Sequence, residues 1–502
     1  MTTEISNSNV NSLKIGDIFT PQKWAEFAIE KYNLLNEWLN GKTIFDPSMG
    51  EGNLLFSLVN LAVKKGYSLH NLPLKKLYGN ELNKNYFNKA IKKFKNDYNV
   101  NMNENFSNRD FILYGKQQFD ILFGNPPWCN FVDLPSEYKE FSKQYFFKYN
   151  LIENSQKLLL GGSRIDIAAL VIQKAITENL KENGKAVFFL PLSLFLNNGV
   201  HNEFRKFKLE NKSYSLEEIY DLNNLDVFEN IGTRYGIGYF TKKESDKKLI
   251  PYFRFEKEKW QKYNAIKRDN GSPFLISKNN NFVKDLPRIN VPENTKPRQG
   301  INPCGAINIF VFKEYEQISN NICLVNKQFK LPIKFIYPLI TSDNFKHCLQ
   351  PKKWVLLPYN KETGKPLSKQ EIEQEPFLAD YLEQNKFSLI NRKGTIINAH
   401  IKRGIWWAML GVGAYNFLPY KVVWEAYGKS KFNPQIFTDK WQANQSLQAF
   451  IPCSNKQNAD KLLKELSNPK VEEFLLSSRM EGTMNWAQPG KISQILKEFS
   501  TQ

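Results

Sequence analysis

The stretch FDILFGNPPWCN, residues 119–130, decides how the chain is read. Its first half is apolar and short enough for a buried strand. It stops on Gly124, Asn125, Pro126, Pro127 and Trp128. Two successive prolines donate no backbone hydrogen bond and cannot continue a central strand. They predict a stiff loop at the strand's C-terminal end, where open α/β sheets bind ligands. The Asn125 side-chain oxygen and the Pro126 carbonyl can each accept one N–H of an exocyclic amine. Trp128 can stack on the ring that carries the amine, worth about 1–3 kcal/mol per base. The competing reading is a turn whose Asn bonds its own backbone and whose Trp packs in the core.

The residues upstream favour a ligand. In KTIFDPSMGEGNLLFSLVNLAVKKG (42–66), a short strand, a glycine turn and a helix follow one another. Gly50 and Gly52 let the backbone approach a ligand closely, and Asp46 at the strand end can accept from an amine or hydroxyl. The turn lacks the Lys-Ser/Thr of a phosphate loop, and Leu55 stands where a dinucleotide fingerprint has its third glycine. A second strand ends at LYGNELN (77–83), placing Glu81 for ribose hydroxyls; its other reading is a helix N-terminal carboxylate. Residues 67–76 read as an insertion that lengthens the Asp46–Glu81 spacing. In FSNRDFIL (106–113), Asp110 and Phe111 can hold an adenine ring, although Phe111 equally suits a core. Ahead of all this, GDIFTPQKWAEFAIEKY (16–32) predicts an amphipathic helix with Thr20 as N-cap and Pro21 at its first position.

Downstream, the polar, aromatic run to residue 160 predicts a loop or lid. Residues 163–185 predict an amphipathic helix ended by Asn183-Gly184, and residues 201–210 a further helix. Residues 186–195, 216–228 and 235–243 supply strands, the last of them closing the sheet. The alternation predicts a doubly wound, mainly parallel α/β domain over residues 1–245. After a Lys-rich segment running to about 295, short strands, aromatics and basic residues predict a mixed α+β domain over 246–502, with a helix near its end.

The chain has 502 residues and a formal net charge of +19, from 69 Lys and Arg against 50 Asp and Glu. That excess favours a polyanionic partner such as nucleic acid. Five dispersed cysteines without CxxC pairs, and four histidines, argue against a metal site and suit a reducing compartment. No signal peptide or membrane-length apolar run is evident.

The order Thr20-Pro21, Asp46 to Gly52, Glu81, Asp110-Phe111, Asn125 to Trp128, then Asp166 and Pro191, resembles the γ class (TaqI-like) of N6-adenine DNA methyltransferases. The resemblance implies a Rossmann-like catalytic domain that uses S-adenosyl-L-methionine, followed by a target recognition domain. It implies that Thr20, Asp46, Pro47, Gly50 and Gly52 serve the methionine end and its loop, Glu81 the ribose, and Asp110 and Phe111 the adenine. Asn125, Pro126, Pro127 and Trp128 would then form the catalytic loop, with Asn125 also touching the cofactor. Phe228, within DVFENIGTRYGIGYF (226–240), would join Trp128 against the flipped base. Enzymes of cytosine N4 usually carry Ser where Asn125 stands, so Asn125 favours adenine. Blocks at Gly300, Gly305, Asn308, Phe310, Tyr337 and Pro338 resemble the specificity domain of the same class, but no individual base contact follows from them.

The implied partners are double-stranded DNA and, because little chain precedes the first motif, a separate restriction endonuclease. The implied setting is a monomer on DNA in a bacterial cytoplasm. The alternatives are methylation of RNA adenine or protein glutamine, and an inactive DNA-binding protein that keeps the fold. A glutamine enzyme has no need of a large basic second domain, and the intact Asp46, Gly50, Gly52, Asn125 and Pro126 disfavour an inactive one.

Overall fold

The structure, a computed structural model, describes residues 18–152, 164–197, 200–209, 213–228, 233–268, 270–279, 295–346, 350–427, 431–438, 440–478 and 487–498. The chain divides into two compact units, Met1–Phe282 and Val283–Gln502. The boundary expected at 245 therefore lies further on, because three more strands join the first unit's sheet. Residues 1–14, residues 153–160 of the expected lid and most of the end of the Lys-rich segment lie outside the described residues.

The first unit is built on strands β1 (Ile44–Asp46), β2 (Leu77–Glu81), β3 (Phe106–Asn108), β4 (Phe119–Gly124), β5 (Leu180–Pro191), β6 (Ser215–Asp221), β7 (Tyr235–Thr241), β8 (Leu249–Glu256), β9 (Lys259–Ile266) and β10 (Leu275–Ser277). They form a ten-stranded sheet ordered β10-β9-β8-β6-β7-β5-β4-β1-β2-β3. The half carrying β3, β2, β1, β4 and β5 is parallel throughout. β7 inserts antiparallel between β5 and β6, and β8 to β10 finish the sheet as an antiparallel meander. The sheet is thus mixed rather than mainly parallel. The chain runs outward from β1 to β3 on one side and resumes with β4 on the other side of β1. That reversal opens a crevice at the strands' C-terminal ends.

The helix expected near the N-terminus is Gln22–Lys31, and its N-cap is Pro21 with φ −64° and ψ 143°. Thr20 therefore does not cap it. The Pro21 carbonyl accepts from Trp24 and Ala25 at 3.0 and 3.1 Å, and the Thr20 hydroxyl is left for another partner. Ala25, Ala28 and Ile29 are buried. Phe27 reaches Tyr220 and Trp260, so the helix covers the β6–β9 side of the sheet. The glycine turn is followed by helix Asn53–Lys64, whose inward row from Leu54 to Ala62 is buried.

Three expectations change after β4. The run read as a loop folds partly into helix Ser136–Lys148, because Tyr138, Ser142 and Phe146 recur at helical spacing and are all buried. The helix expected over 163–185 ends at Lys174 and continues as a π turn, Ala175–Asn179. All eight residues of Ile167–Lys174 are buried, so that helix is enclosed rather than amphipathic. Sheet pairing takes the rest: Leu180 aligns with Phe119 and Lys185 with Ile121, and the intervening residues bulge. Asn183, at φ 59°, turns that bulge instead of stopping a helix. Among the described residues of 201–210, a 3-10 turn at Phe204–Lys206 stands where the helix was expected.

The second unit holds a four-stranded sheet and two three-stranded sheets. In the largest, Tyr420–Glu425 pairs antiparallel with Gln448–Cys453 and with Gln435–Thr438. Helices Lys456–Leu466, Pro469–Ser477 and Pro489–Glu498 end the described chain. Its main core gathers Phe310, Leu356, Leu378, Leu389 and Trp407. Gly300 is needed for close approach, since a Cβ there would lie 2.5 Å from the Ala443 carbonyl oxygen.

Gly124 sets the spacing of the central strands. A Cβ on it would meet Asp46 Oδ1 and Pro47 Cδ at 3.0 Å and Phe188 at 3.3 Å. Gly124→Ala should therefore destabilise the first unit by roughly 1–3 kcal/mol, the usual range for overpacking. Urea unfolding of parent and variant, followed by circular dichroism, measures this.

Candidate active site

The ends of β1, β2, β3 and β4 converge on one cavity. The Asp46–Gly50 turn, the β2 end at Glu81, the Asp110–Ile112 turn and the Asn125 loop all contribute to its wall. Thr20 and Pro127 line it as well. Four separate expectations from the sequence thus meet at the crevice that the strand order predicts. Asp46, Glu81 and Asp110 line it, and among the described residues no Lys or Arg does. Such a wall repels phosphates and suits a ligand that is cationic and rich in N–H and O–H donors.

Each acid is held by local geometry. Asp46 is buried, and its Oδ1 accepts from the Ser48 N–H at 3.0 Å. Burial pushes its carboxyl up to about 8, against the Ser48 hydrogen bond, and the nearby Glu81 charge adds to the rise. Glu81 accepts from the Gly50 N–H at 2.8 Å and the Asn83 N–H at 2.7 Å, tying the glycine turn to the end of β2. Gly50 has φ 56°, and a Cβ there would sit 3.0 Å from the Phe19 ring. Gly52 also has positive φ, but its neighbours are Ala90, Phe56 and Phe94. It packs one helix on another and does not line the cavity.

Asp110 caps the turn Phe111–Leu113, its Oδ1 accepting from Ile112 N–H at 2.8 Å. Burial raises its carboxyl, opposed by the Ile112 N–H, the Tyr138 hydroxyl and the Lys174 charge. Phe111 lines the cavity and is buried against Phe45 and Tyr114, so its two readings coexist. Asp166 caps helix Ile167–Lys174 through the Ala168 N–H at 2.9 Å. Burial pushes it up to about 7, opposed by backbone hydrogen bonds from Ala168 and Cys129. It clamps the chain leaving Trp128, where Ile167 N–H donates to the Cys129 carbonyl at 2.9 Å.

Asn125 carries the decisive geometry. Its Nδ2 donates to the Ile18 carbonyl at 2.9 Å and to the Thr20 hydroxyl at 3.1 Å. The Ile18 oxygen can only accept, so the amide orientation is set by chemistry. Oδ1 is left buried without a hydrogen-bond partner. Pro126 is buried, and its ring is not part of the cavity wall. Trp128 is buried too, edge-on to Phe228 at 5.2 Å and stacked with Tyr235 at 5.9 Å. Phe228 thus packs beside Trp128 in an aromatic cluster, and neither residue is in the cavity wall. The indole Nε1 of Trp128 is buried and unpartnered.

Three contributors escaped the sequence reading. Asn80 donates to the carbonyls of Pro47 and Arg109 at 3.2 and 3.1 Å and so spans the β1 and β3 loops. A polar residue inside the buried strand LYGNE was the available signal. Tyr235 packs on Trp128, and Tyr138 donates to Asp110 Oδ2 at 2.8 Å. Nothing local marked either one. No group of three or more His, Cys, Asp or Glu fit to hold a metal occurs among the described residues. No helix among them is long and apolar enough to cross a membrane.

Residues 27–228 match the family described as Eco57I restriction-modification methylase. The modification methylase CviBIII of Paramecium bursaria Chlorella virus NC1A is 29% identical over 195 residues, 38% of this chain and 42% of that protein. The type II methyltransferase M.NspV of Nostoc sp. (strain ATCC 29411 / PCC 7524) is 24% identical over 479 residues, covering 87% of this chain and 88% of that one. Among solved structures, the type IIL restriction-modification enzyme MmeI in complex with DNA shares the fold with a TM-score of 0.57 at 11% identity. That match covers 93% of this chain and 64% of the MmeI chain. The chain thus spans less than two thirds of MmeI and less than half of CviBIII.

Asp46 binds its proton more tightly in the folded chain than in the unfolded one, where its pKa is about 3.9. It therefore lowers stability progressively as pH rises from about 4 to about 8, and the loss is complete above that. Asp46→Asn should raise the melting temperature over the parent at pH 8, and by clearly less at pH 5. Calorimetric melts at the two pH values check the sign.

Proposed function

We infer that the chain is a site-specific DNA methyltransferase acting on adenine N6 with S-adenosyl-L-methionine as donor. The observation that carries this is the unpartnered Asn125 Oδ1, with its amide nitrogen committed to Ile18 and Thr20. A buried acceptor without a donor is costly by about 1–3 kcal/mol, and an incoming amine removes that cost. The match to the Eco57I restriction-modification methylase family and the likeness to the type II methyltransferase M.NspV along 87% of the chain support this reading.

The cavity suits the proposed donor. S-adenosyl-L-methionine is a cation and, when bound, supplies an electrophilic methyl group. Asp46 offers a carboxylate to its positive end, and Thr20 lies beside Asn125 on the same wall. Glu81, held by Gly50 and Asn83 N–H groups, keeps acceptor capacity for ribose hydroxyls. Asp110 and Phe111 serve the adenine, one as acceptor and the other as an apolar wall.

An adenine N6 is a poor nucleophile because its lone pair is delocalised into the ring. Asn125 Oδ1 and the Pro126 carbonyl accept its two N–H bonds and favour a tetrahedral nitrogen. Its lone pair is then freed for attack. Positioning does most of the enzyme's work, and no side chain need remove a proton before transfer. The target base has to leave the duplex stack to reach such a pocket. Trp128 and Phe228 offset part of that unstacking once they part from each other to admit the base. The second unit reads the sequence, and the excess of Lys and Arg supplies salt-dependent affinity for phosphate. A separate endonuclease of matching specificity is the partner this reading expects.

Asn125→Ala should lower methyl transfer to duplex DNA by at least 100-fold while cofactor binding persists. Transfer of a labelled methyl group, with digestion to nucleosides, reads both the rate and the modified base. Label on RNA or protein instead of adenine, or unchanged turnover in Asn125→Ala, would overturn the assignment.

A further inference from the structure

Asp110 has a partner brought from a distant part of the chain. Helix Ser136–Lys148 places Tyr138 in its first turn, buried and in the cavity wall. The Tyr138 hydroxyl donates to Asp110 Oδ2 at 2.8 Å across 28 residues of sequence. Asp110 Oδ1 is occupied by the Ile112 N–H at 2.8 Å. An ionised carboxylate oxygen has two lone-pair sites, so Oδ2 can take Tyr138 and one further donor. The third neighbour is Lys174, from helix Ile167–Lys174. Its ammonium lies 4.5 Å over the Phe111 ring, donates to the Tyr114 carbonyl at 2.9 Å and pairs with Glu178 at 3.2 Å.

We propose that Tyr138 is a positioning residue for the cofactor's nucleoside. Its hydroxyl fixes the Asp110 carboxylate as an acceptor and so selects a 6-amino purine over a 6-oxo purine. This rests on the cofactor reading given above. The physical reason is that protonation inverts the group's hydrogen bonding. A neutral Asp110 carries an O–H, which suits a 6-oxo group as well as a 6-amino group. Burial drives Asp110 toward that neutral form, and the Tyr138 hydroxyl is one of three features opposing it, beside the Ile112 N–H and the Lys174 charge. Lys174 is itself weakened in this role, because burial favours its neutral form and Glu178 competes for its charge. Helix Ser136–Lys148 thereby closes one side of the cavity and sets its purine preference through a single hydroxyl.

The test is calorimetric binding of S-adenosylhomocysteine and S-inosylhomocysteine to the full chain, as parent, Tyr138→Phe, Asp110→Asn and the double variant. Tyr138→Phe keeps the ring and hence the packing, and a melting curve verifies it. The parent should prefer the adenosyl ligand. In Tyr138→Phe that preference should fall about tenfold, as expected for loss of one hydrogen bond to a charged group. The fall should grow as pH is lowered, because Asp110 protonates more readily without the hydroxyl. The double variant should be no worse than Asp110→Asn alone, because the two residues act as one unit. An unchanged preference in Tyr138→Phe, or independent losses in the double variant, would show a packing role and overturn the proposal. A parent that binds neither ligand would instead overturn the cofactor reading, and this proposal with it.

Discussion

The amide of Asn125 can face only one way. Its nitrogen is held by a backbone carbonyl that has no proton to give, so its oxygen must turn the other way, where it is buried without a hydrogen-bond partner. Ile18 and Thr20 precede the first helix of the described chain, and Asn125 ends β4, more than a hundred residues later. The contact therefore forms only when the N-terminal helix has docked on the sheet. Docking depends on Ala25, Ala28 and Ile29 being buried against it, and on Phe27 meeting Tyr220 and Trp260. The orientation of one functional oxygen is in this way tied to the packing of the whole first unit. It also explains why Pro21, and not Thr20, occupies the capping position: the Thr20 hydroxyl has a better use as an acceptor for the amide.

A second constraint acts at right angles to the first. The C-terminal ends of β1 and β4 touch, with Gly124 against Asp46 and Pro47. The two strand ends that meet there carry Asp46 and Asn125, both in the cavity wall. Asp46 is held largely neutral by burial near pH 7. A cationic ligand would draw its proton off, so the site stores unfavourable burial that ligand binding can relieve. Function here is bought with stability, in the manner of many sites that keep a carboxyl away from water.

Much of this was legible in the sequence, for a local reason. The strand FDILFG, the turn DPSMGEG and the acids Asp46, Glu81 and Asp110 each announce themselves within a few residues. The alternation of strands and helices then forces those strand ends onto one edge. What escaped depends on pairing across the chain. Residues 180–185 have a helix-stopping Asn-Gly, yet β4 and β7 recruit them into a strand. The strands Leu249–Glu256 and Lys259–Ile266 lie within the Lys-rich segment that runs to about 295, but the edge of β6 captures them. Tyr138 lay in a run whose polarity suggested a loop, and its partner is visible only in three dimensions.

Burial also sorts the second unit's basic and aromatic residues, which sequence blocks alone could not rank. Lys421 is fully buried in the central strand of the four-stranded sheet, and its ammonium meets the Leu418 carbonyl at 3.4 Å. Trp407 is buried with its indole N–H on the Leu367 carbonyl at 3.0 Å. Phe310 is wholly enclosed in the main core. These three maintain the fold. Lys402 and Arg403, by contrast, are exposed at the end of helix Thr395–Lys402. Arg298 is half-buried, lies 4.5 Å over the Tyr415 ring and has its Nε buried without a hydrogen-bond partner. A charge buried in a core cannot respond to a phosphate, whatever its position in a motif. The electrostatic reach of this unit has to come from its exposed cations.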